Sequence, residues 1–484
     1  MEHQQGIVYQ LDLFSKTSQE TMCPSEGREA VSGAKARKEK QLTGAGEQKR
    51  ALANNNLMQV VLSHDNIKRA YKQMKQNKGV AGIDGQAVYE FATWYVQEGD
   101  NLIEQLYAGT YQPEAVKQAE INKPNGGKRK LGIPTVKDRI IQQAIAQVLS
   151  PIYEREFSDH SFGFRPNRNA HQALEKASHY VEEGNDIVVD LDLKTFFDVV
   201  NHDRLMYLLS EKIGDKSLLR LIRKYLQSGI MIDGVMSQRT EGTPQGSPLS
   251  PLLSNIVLDE LDKELERRGH KFVRYADDCN IFVRSQRAGE RVIQSISNFI
   301  EGKLLLIVNK DKSKVCQSYQ TKFLGYTIQW GGFLTIAKES FKRLKEKVRK
   351  LTERNRGVKF EQIITELTSV LRGWLQYFQH TRGHKTLQLL DAWIRRKLRC
   401  YRLKQCKRTI TLQRFLVSLG VPKWHSWILA LSGKGYWRKS YCPQACQAMG
   451  NEWFDKLGLY NLTLNYKRLK GLKKPPYTKV RTVV

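Results

Sequence analysis

The feature of this chain that most restricts its fold is an apolar, strand-like segment that carries two carboxylates. Residues 187–193 read Ile-Val-Val-Asp-Leu-Asp-Leu. Such a run predicts a buried strand. Because side chains alternate between the two faces of a strand, Asp190 and Asp192 are expected on the same face. The segment therefore predicts a sheet with an acidic strip at one of its strands.

A second pair of carboxylates lies at a predicted hairpin turn. Residues 271–284 read as strand, tight turn and strand, with Asp277 and Asp278 at the turn. Adjacent carboxylates there are costly unless a cation neutralises them, and Mg²⁺ prefers oxygen ligands. Nucleotidyl transfer with two metal ions needs carboxylates from separate strands. On the tetrapeptide Tyr275-Ala-Asp-Asp alone, a solvated acidic turn stays as the alternative.

The other segments alternate between strand and helix patterns. Turn signals at residues 125–127 and 233–234 predict two more hairpins, and residues 304–308 and 323–329 predict two further strands. Strands interleaved with helices indicate an α+β fold, with helices packed mainly on one face of the sheet. After Gly332 the apolar positions recur only at helical spacing. A separate helical region is therefore expected there.

Charge is distributed unevenly along the chain. The 484 residues carry a net charge of +30. Residues 341–484 contain 33 Lys and Arg against 7 Asp and Glu, whereas the first 340 residues contain 46 against 42. Because the basic third also contains many aromatic residues, it predicts nucleic-acid binding in preference to a merely solubilising surface. No apolar run approaches the roughly 18 residues that a membrane span needs. The seven scattered cysteines suit a reduced, intracellular protein.

The carboxylate segments belong to a longer ordered series of motifs. The series comprises Lys-Pro-Asn-Gly-Gly-Lys-Arg at 123–129, Leu-Gly-Ile-Pro-Thr at 131–135, Ser-Phe-Gly-Phe-Arg-Pro-Asn-Arg-Asn-Ala-His at 161–171, Asp-Leu-Asp-Leu-Lys-Thr-Phe-Phe-Asp-Val-Val-Asn-His at 190–202, Gly-Thr-Pro-Gln-Gly-Ser-Pro-Leu-Ser-Pro at 242–251, Tyr-Ala-Asp-Asp at 275–278, Asn-Lys-Asp-Lys-Ser at 309–313, Phe-Leu-Gly-Tyr at 323–326 and Gly-Trp-Leu-Gln-Tyr-Phe at 373–378. In residues and order it resembles the bacterial group II intron-encoded reverse transcriptase/maturase family, in its endonuclease-lacking type.

The resemblance implies a domain organisation. It implies a right-hand polymerase, with fingers and palm around an antiparallel sheet in residues 57–335. An all-α thumb and maturase region (domain X) would follow in residues 336–450. Residues 451–484 would form a basic tail that binds DNA or RNA and is too short for an endonuclease domain. Residues 1–56 match no motif of the family, and their polar composition predicts a disordered extension.

The resemblance also implies an active site. Asp192, Asp277 and Asp278 would be the catalytic residues and, with the backbone carbonyl of Leu193, would hold two Mg²⁺ ions. Asp190 would lie behind this metal shell.

Further residues would bind the incoming dNTP. Phe197 occupies the position of a steric gate, where a bulky ring clashes with a ribose 2′-hydroxyl, although a core role beside Phe196 is the alternative. Lys312 would act as a general acid toward pyrophosphate, unless it is only a surface lysine. Arg165 is a weaker candidate. The predicted dNTP-binding residues are Lys123, Arg129, Phe197, Gln245 and Lys312.

The basic helices would hold RNA through phosphate contacts. Trp374, Tyr377 and Phe378 are instead expected to fold the helical core. The implied function is an RNA-directed DNA polymerase that also promotes splicing of its intron and supports intron mobility. The implied partners are group II intron RNA, an RNA template with a DNA primer, target DNA and dNTPs, with no membrane, in the bacterial cytoplasm. The predicted RNA-binding residues are Arg395, Arg396, Lys397, Arg399, Arg402, Lys404, Lys407 and Arg408.

Two alternatives stay open. One is a reverse transcriptase of another system, such as phage defence, template-directed diversification or a CRISPR locus. The other is an RNA-binding maturase without polymerase activity, which predicts a broken Tyr-x-Asp-Asp motif. The intact motif at residues 275–278 argues against the second.

Overall fold

The computed structural model describes residues 56–122, 127–232, 235–237 and 240–471. The extension predicted for residues 1–56 therefore lies, but for its last residue, outside the described residues. The chain divides into two compact units. The first comprises residues 1–173 with 189–315, and the second comprises residues 174–188 with 316–484.

Strands and helices alternate as far as residue 317, which confirms the α+β prediction for this part of the chain. A few of the helices begin at side-chain caps, as where the Asp215 carboxylate accepts from the backbone N–H groups of Ser217 and Leu218. The elements are α1 (Leu57–Val61), α2 (His64–Asn77), α3 (Phe91–Ala108), β1 (Val116–Asn122), β2 (Lys128–Ile133), α4 (Val136–Glu154), α5 (Ala170–Glu182), β3 (Ile187–Leu191), α6 (Phe196–Val199), α7 (His202–Ser210), α8 (Lys216–Gln227), β4 (Ile230–Ile232), β5 (Val235–Ser237), α9 (Ser250–Arg267), β6 (Lys271–Tyr275), β7 (Asp278–Val283), α10 (Gln286–Phe299) and β8 (Lys314–Gln317).

These strands form two four-stranded sheets. Their orders are β2-β1-β4-β5 and β6-β7-β3-β8. All three predicted hairpins are confirmed: β1 with β2, β4 with β5, and β6 with β7 pair antiparallel. The first sheet is mixed, because β1 also pairs parallel with β4. Residues 125–126 and 233–234, at the tips of two hairpins, lie outside the described residues.

The strand predicted at residues 304–308 is wrong. Helix α10 continues into a π-helical turn, Ile300–Leu304, and Leu305 then takes a left-handed conformation with φ +55°. Only Val308 pairs, in a single bridge opposite Leu193. Leu304, Leu306 and Val308 are all buried. A short apolar run reports burial but does not distinguish a strand from a buried irregular segment.

Helices α4 and α9 supply much of the core of the first unit. In α9, the side chains of Leu253, Ile256, Val257 and Leu261 are all buried. Burial on several faces explains why this helix reads as apolar along most of its length.

The second unit is mainly helical, as predicted, with one small hairpin before the helices. The second strand of this hairpin, Leu334–Ile336, is an exception to the helical pattern that was expected after Gly332. Its strands pair antiparallel, with Thr335 opposite Thr327. The elements are β9 (Tyr326–Ile328), β10 (Leu334–Ile336), α11 (Lys338–Leu351), α12 (Phe360–Tyr377), α13 (Lys385–Gln405), α14 (Thr409–Ser418), α15 (Lys423–Leu431), α16 (Tyr436–Lys439), α17 (Pro443–Ala448), α18 (Asn451–Lys456) and α19 (Leu462–Leu469).

Helical structure continues beyond residue 450, where the sequence predicted a tail. The buried carboxylate of Asp391 accepts hydrogen bonds from the backbone N–H groups of Leu462 and Thr463 and from the Thr463 hydroxyl. These bonds satisfy the first amides of α19 and fasten it to α13. Because Asp391 lies 71 residues before Leu462 in the sequence, no pattern within residues 451–484 predicts its contact with α19. Residues 472–484 lie outside the described residues.

The aromatic residues of the 373–378 motif fold the helical core, as predicted. The rings of Trp374 and Phe378 pack with centroids 4.9 Å apart. The Tyr377 hydroxyl donates to the carbonyl of Leu324 at 2.8 Å, and the Tyr326 hydroxyl donates to the carbonyl of Tyr377 at 2.5 Å. Among the described residues, no helix is long and apolar enough to cross a membrane.

Candidate active site

Two strand ends bring the predicted catalytic carboxylates into one sheet. Asp192 follows the end of β3, and Asp277 and Asp278 lie at the turn between β6 and β7, which is adjacent to β3 in the sheet. Burial raises the pKa of the Cys279 thiol, and nearby negative charges raise it further. Asp278 and Asp190 carry two of those charges. One carboxylate of β3, Asp190, and one of β7, Asp278, therefore both lie near this thiol.

A buried arginine holds the turn that carries Asp277. The guanidinium of Arg274 donates from Nη1 to the carbonyl oxygen of Ala276 at 2.9 Å. Its Nε and Nη2 donate to the carboxylate of Asp262 at 2.8 and 2.5 Å, and its Nη1 also donates to Asn255 at 3.0 Å. Ala276 needs such support because its φ of +58° lies in the left-handed region, which residues with a β-carbon rarely adopt.

The motif at residues 161–166 supports the same turn from the other side. The backbone N–H of Phe162 donates to the carbonyl of Arg274, and Ser161 forms a parallel bridge with Arg274. A β-carbon on Gly163 would overlap the backbone nitrogen of Ala276 and come within 2.9 Å of the carbonyl carbon of Tyr275. Only glycine permits this close approach.

Asp192 is held by the segment at residues 309–313. The backbone N–H of Asn309 donates to the Asp192 carbonyl, and the Asn309 side chain donates to Asp192 Oδ2, both at 2.8 Å. The Ser313 hydroxyl accepts from the Asp192 backbone N–H at 3.0 Å. The ammonium of Lys312 lies 3.5 Å from Asp192 Oδ2, with the two side chains 69% and 41% exposed. A positive charge therefore stands beside the predicted ligand carboxylate at a solvent-accessible edge.

The carbonyl of Leu193 is directed away from the neighbouring segment. Two hydrogen bonds flank the bridge between Leu193 and Val308: Lys194 N–H donates to the Ile307 carbonyl, and Asn309 N–H donates to the Asp192 carbonyl. This is the pattern of a non-hydrogen-bonded pair, in which the residue between the two bonds turns its own N–H and C=O to the other side. The geometry is consistent with a role for this oxygen as a ligand.

The chemistry of the donors suits a hard divalent cation, because the candidates are carboxylate and carbonyl oxygens. Asp192, Asp277 and Asp278 are each partly exposed. Within the described ranges, however, no three His, Cys, Asp or Glu side chains lie close enough together to form a ready metal cluster. The structure therefore places the three carboxylates at adjacent strand ends without gathering them around one point.

Phe197 lies against the loop that follows β5. Its ring is half-buried and meets Phe196 edge to face at 5.2 Å. The backbone N–H of Thr243 donates to the Phe197 carbonyl at 2.6 Å, and the buried His202 ring donates to the Gly242 carbonyl at 2.7 Å. The ring thus packs against Phe196 and keeps an exposed part, and its role as a steric gate stays a prediction.

Gln245 connects this loop to the basic hairpin. Its carbonyl accepts from the backbone N–H of Gly132 in β2 at 2.7 Å. A β-carbon on Gly246, whose φ is +118°, would come within 2.7 Å of the Gly132 carbonyl oxygen. Arg129 lies on the same strand and is exposed. Lys123, the other predicted phosphate contact of this hairpin, lies outside the described residues.

One of the predicted RNA-binding residues has a structural role instead. Arg399 is only 9% exposed, and its guanidinium donates to the carbonyls of Ser440 and Met449. It fastens α13 to the segments after α16 and α17. The side chain of Arg399 therefore faces the segments that pack against α13 and does not face solvent.

The other seven predicted RNA-binding residues are at least partly exposed. Several of them lie over aromatic rings: Arg396 over Trp437 at 4.0 Å, and Arg402 over Phe415 at 4.5 Å. These seven are Arg395, Arg396, Lys397, Arg402, Lys404, Lys407 and Arg408.

The candidate Arg165 also has a structural role, because its buried guanidinium pairs with Glu154 and donates to the carbonyls of Ser158 and Ser161. Sequence reasoning missed Arg274 and Asn309, which position the carboxylates. The signal for Arg274 was available, since it is a charged residue that directly follows the apolar residues Phe272 and Val273 in a predicted strand.

Comparison with known proteins agrees with this geometry. Residues 121–328 match the family model "Reverse transcriptase (RNA-dependent DNA polymerase)", and residues 341–416 match "Group II intron, maturase-specific domain". The first match defines the class of the protein: a polymerase of the reverse transcriptase type.

Individual relatives narrow the assignment. Protein YkfC of Escherichia coli K12 is 30% identical over 299 residues, which cover 54% of this chain and 78% of that protein. The group II intron-encoded protein LtrA of Lactococcus lactis is 31% identical over 328 residues, and the match covers only 54% of each chain. The chain belongs to the family of group II intron-encoded reverse transcriptases and maturases.

A solved partial Cas6-RT-Cas1–Cas2 complex is similar at 27% identity, with a TM-score of 0.34 over 52% of this chain and 43% of that one. Reverse transcriptases use divalent metal ions and act on nucleic acid, which agrees with the donor set and the basic C-terminal third.

Proposed function

We propose that this protein copies RNA into DNA from a DNA primer and also binds the RNA of its group II intron to promote splicing and support intron mobility. The observation that carries the proposal is the placement of Asp192 beside the Asp277–Asp278 turn in one sheet, in a chain that matches both a reverse transcriptase and a maturase model. A polymerase needs carboxylates from separate strands, and these strands are adjacent.

Within this proposal, Asp192, Asp277, Asp278 and the Leu193 carbonyl would hold two Mg²⁺ ions, and the chemistry that these ions would supply is activation of the primer hydroxyl and neutralisation of charge on the leaving pyrophosphate. The chain's own groups do the rest. Asn309 and Ser313 hold Asp192 in place, and Arg274 holds the turn of Asp277. Preorganised ligands of this kind cost little rearrangement when the substrate binds.

The dNTP would lie between the basic hairpin and the palm. Arg129 and Lys123 would bind its triphosphate, since guanidinium groups form forked hydrogen bonds to phosphate. Phe197 would exclude the ribose 2′-hydroxyl, and the Gln245–Gly246 backbone would pack under the nascent base pair. The bond between Gln245 and Gly132 supports this arrangement, because it joins the hairpin strand to the loop.

The polymerase part is tested by primer extension with the purified full chain, an RNA template, a DNA primer, dNTPs and Mg²⁺. Synthesis is expected, and Asp277→Ala is expected to abolish it with an unchanged melting temperature. Asp100→Ala, an exposed carboxylate on α3, serves as the matched control and should leave synthesis intact. Synthesis retained by Asp277→Ala would remove Asp277 from the metal site.

The maturase part is tested with the same Asp277→Ala variant in a splicing reaction at low Mg²⁺. Splicing should be as efficient as with the unmodified chain, because RNA binding is assigned to the helical unit. Equal loss of splicing and synthesis would show that the two activities share one site. A chain that splices but never extends a primer would favour the alternative of a maturase without polymerase activity.

A further inference from the structure

Phe164 combines two unfavourable properties. Its side chain is 54% exposed, although phenylalanine favours burial. Its φ of +59° lies in the left-handed region, where a bulky residue with a β-carbon is rare and strained. Glycine or asparagine would fit this backbone with less strain. An aromatic ring at such a position therefore needs an explanation other than folding.

The backbone on both sides of Phe164 is pinned. The carbonyl of Gly163 accepts from the side chain of Asn255 at 2.9 Å, and Gly163 lies against the backbone of Ala276. Arg165 is buried and tied to Glu154. With its neighbours held in place, Phe164 is forced to adopt its conformation and to direct its ring outward. Strain that the surrounding structure maintains in this way is typical of functional sites.

The position of Phe164 in the unit indicates what its ring meets. Gly163 touches the residues just before Asp277, so Phe164 is one residue removed from the turn of the catalytic carboxylates. In nucleotidyl transfer, the 3′ end of the primer must reach those carboxylates. An exposed ring on the segment that contacts this turn is available to the terminal nucleotides of a primer–template. Aromatic rings bind such nucleotides by stacking on bases or packing on sugars.

We propose that Phe164 is a binding residue for the primer–template end, and that its strained backbone is maintained for this contact. The inference rests on the proposed polymerase function. In this proposal Phe164 binds the primer–template and does not bind the triphosphate. Binding of the triphosphate is assigned to the basic hairpin.

Phe164→Gly separates a binding role from a folding role, because it removes the ring while it relieves the backbone strain. The variant is expected to melt at the same temperature as the unmodified chain or higher. Its affinity for a labelled RNA–DNA primer–template with a recessed 3′ end should fall about 5- to 150-fold, the range that corresponds to one stacked base. Its KM for dNTP should stay unchanged, and Phe164→Tyr should bind almost normally.

Tyr207→Ala is the matched control, since Tyr207 is equally exposed, at 54%, on α7 of the same unit. It should leave primer–template affinity unchanged. If Phe164→Gly binds the primer–template as tightly as the unmodified chain, the proposal is overturned. It is also overturned if affinity falls only together with the melting temperature, because a folding role would then suffice. If the unmodified chain extends no primer at all, it is the proposed function that fails, which is a separate result.

Discussion

Arg274 and Asp262 form an ion pair in which neither side chain is exposed to solvent. Two hydrogen bonds, of 2.8 and 2.5 Å, join the guanidinium to the two carboxylate oxygens. The remaining bonds of the guanidinium go to Asn255 and to the carbonyl of Ala276. The pair therefore links helix α9 to the turn that carries Asp277.

Breaking this pair should destabilise the protein strongly. Asp262→Ala leaves a buried, unpaired guanidinium, which costs about 3–5 kcal/mol of unfolding free energy. Denaturant unfolding of the purified chain measures this cost. The exposed pair of Arg223 and Asp203 is the control, and Asp203→Ala should change stability by less than about 1 kcal/mol. Equal effects of the two substitutions would contradict the structural role given to Arg274.

Two glycines should respond in opposite ways to the same change. Gly163→Ala drives a β-carbon into the backbone of Ala276, so it should reduce primer extension at least tenfold and cost about 1–3 kcal/mol. Gly373 lies exposed within helix α12, and nothing is near its missing β-carbon. Gly373→Ala should therefore stabilise the protein by about 0.5–1 kcal/mol. Thermal melting of the two variants compares these outcomes, and a stabilised Gly163→Ala would show that the turn tolerates displacement.

Lys312 should affect the chemical step more than substrate binding. If its ammonium gives a proton to the leaving pyrophosphate, Lys312→Gln should slow single-turnover incorporation about 10²-fold, a typical contribution of general acid catalysis. The primer–template affinity should change little. Lys310→Gln, a nearby exposed lysine, is the control. An unchanged incorporation rate for Lys312→Gln would leave Lys312 as a surface partner of Asp192 only.

The basic residues of α13 and of the segment that follows it should separate into RNA contacts and a structural residue. Arg395→Ala and Arg408→Ala should each weaken binding of intron RNA and reduce the salt dependence of affinity by about one phosphate contact. Arg399→Ala should instead lower the melting temperature, because it leaves the carbonyls of Ser440 and Met449 without the hydrogen bonds that Arg399 donates. Titration of RNA at several salt concentrations distinguishes the two. A normal salt slope in Arg395→Ala would exclude a phosphate contact there.

The sequence predicted the elements whose signals are local. Helix α9 has such a signal, because its apolar pattern is long and begins after a Gly- and Pro-rich loop. Two of the hairpins were predicted from Asn-Gly and Asp-Gly pairs, which favour the tight turns that join antiparallel strands. The alternation of carboxylates in residues 187–193 predicted Asp190 and Asp192 on one strand face, but β3 ends at Leu191, so Asp192 follows the strand and the shared face stays a prediction.

The contacts between distant segments could not be predicted in this way. Nothing near Asp391 shows that it will cap a helix beginning at Leu462, and nothing near Arg399 shows that it faces inward. The attachment of Asn309 to Asp192 spans more than a hundred residues. Such contacts depend on which surfaces meet after the local elements have formed, and local periodicity carries no information about that.

Arg274 has a structural role and Asp277 a proposed catalytic one, so the two residues should change differently in a chain that no longer needs to synthesise DNA. Asp277 is partly exposed, whereas Arg274 is fully buried and joins helix α9 to the turn. A lineage kept only for splicing would therefore lose the aspartate first and retain the arginine three residues before it. An intact arginine followed by a damaged Tyr-x-Asp-Asp would then mark a descendant that gave up copying RNA while keeping its fold.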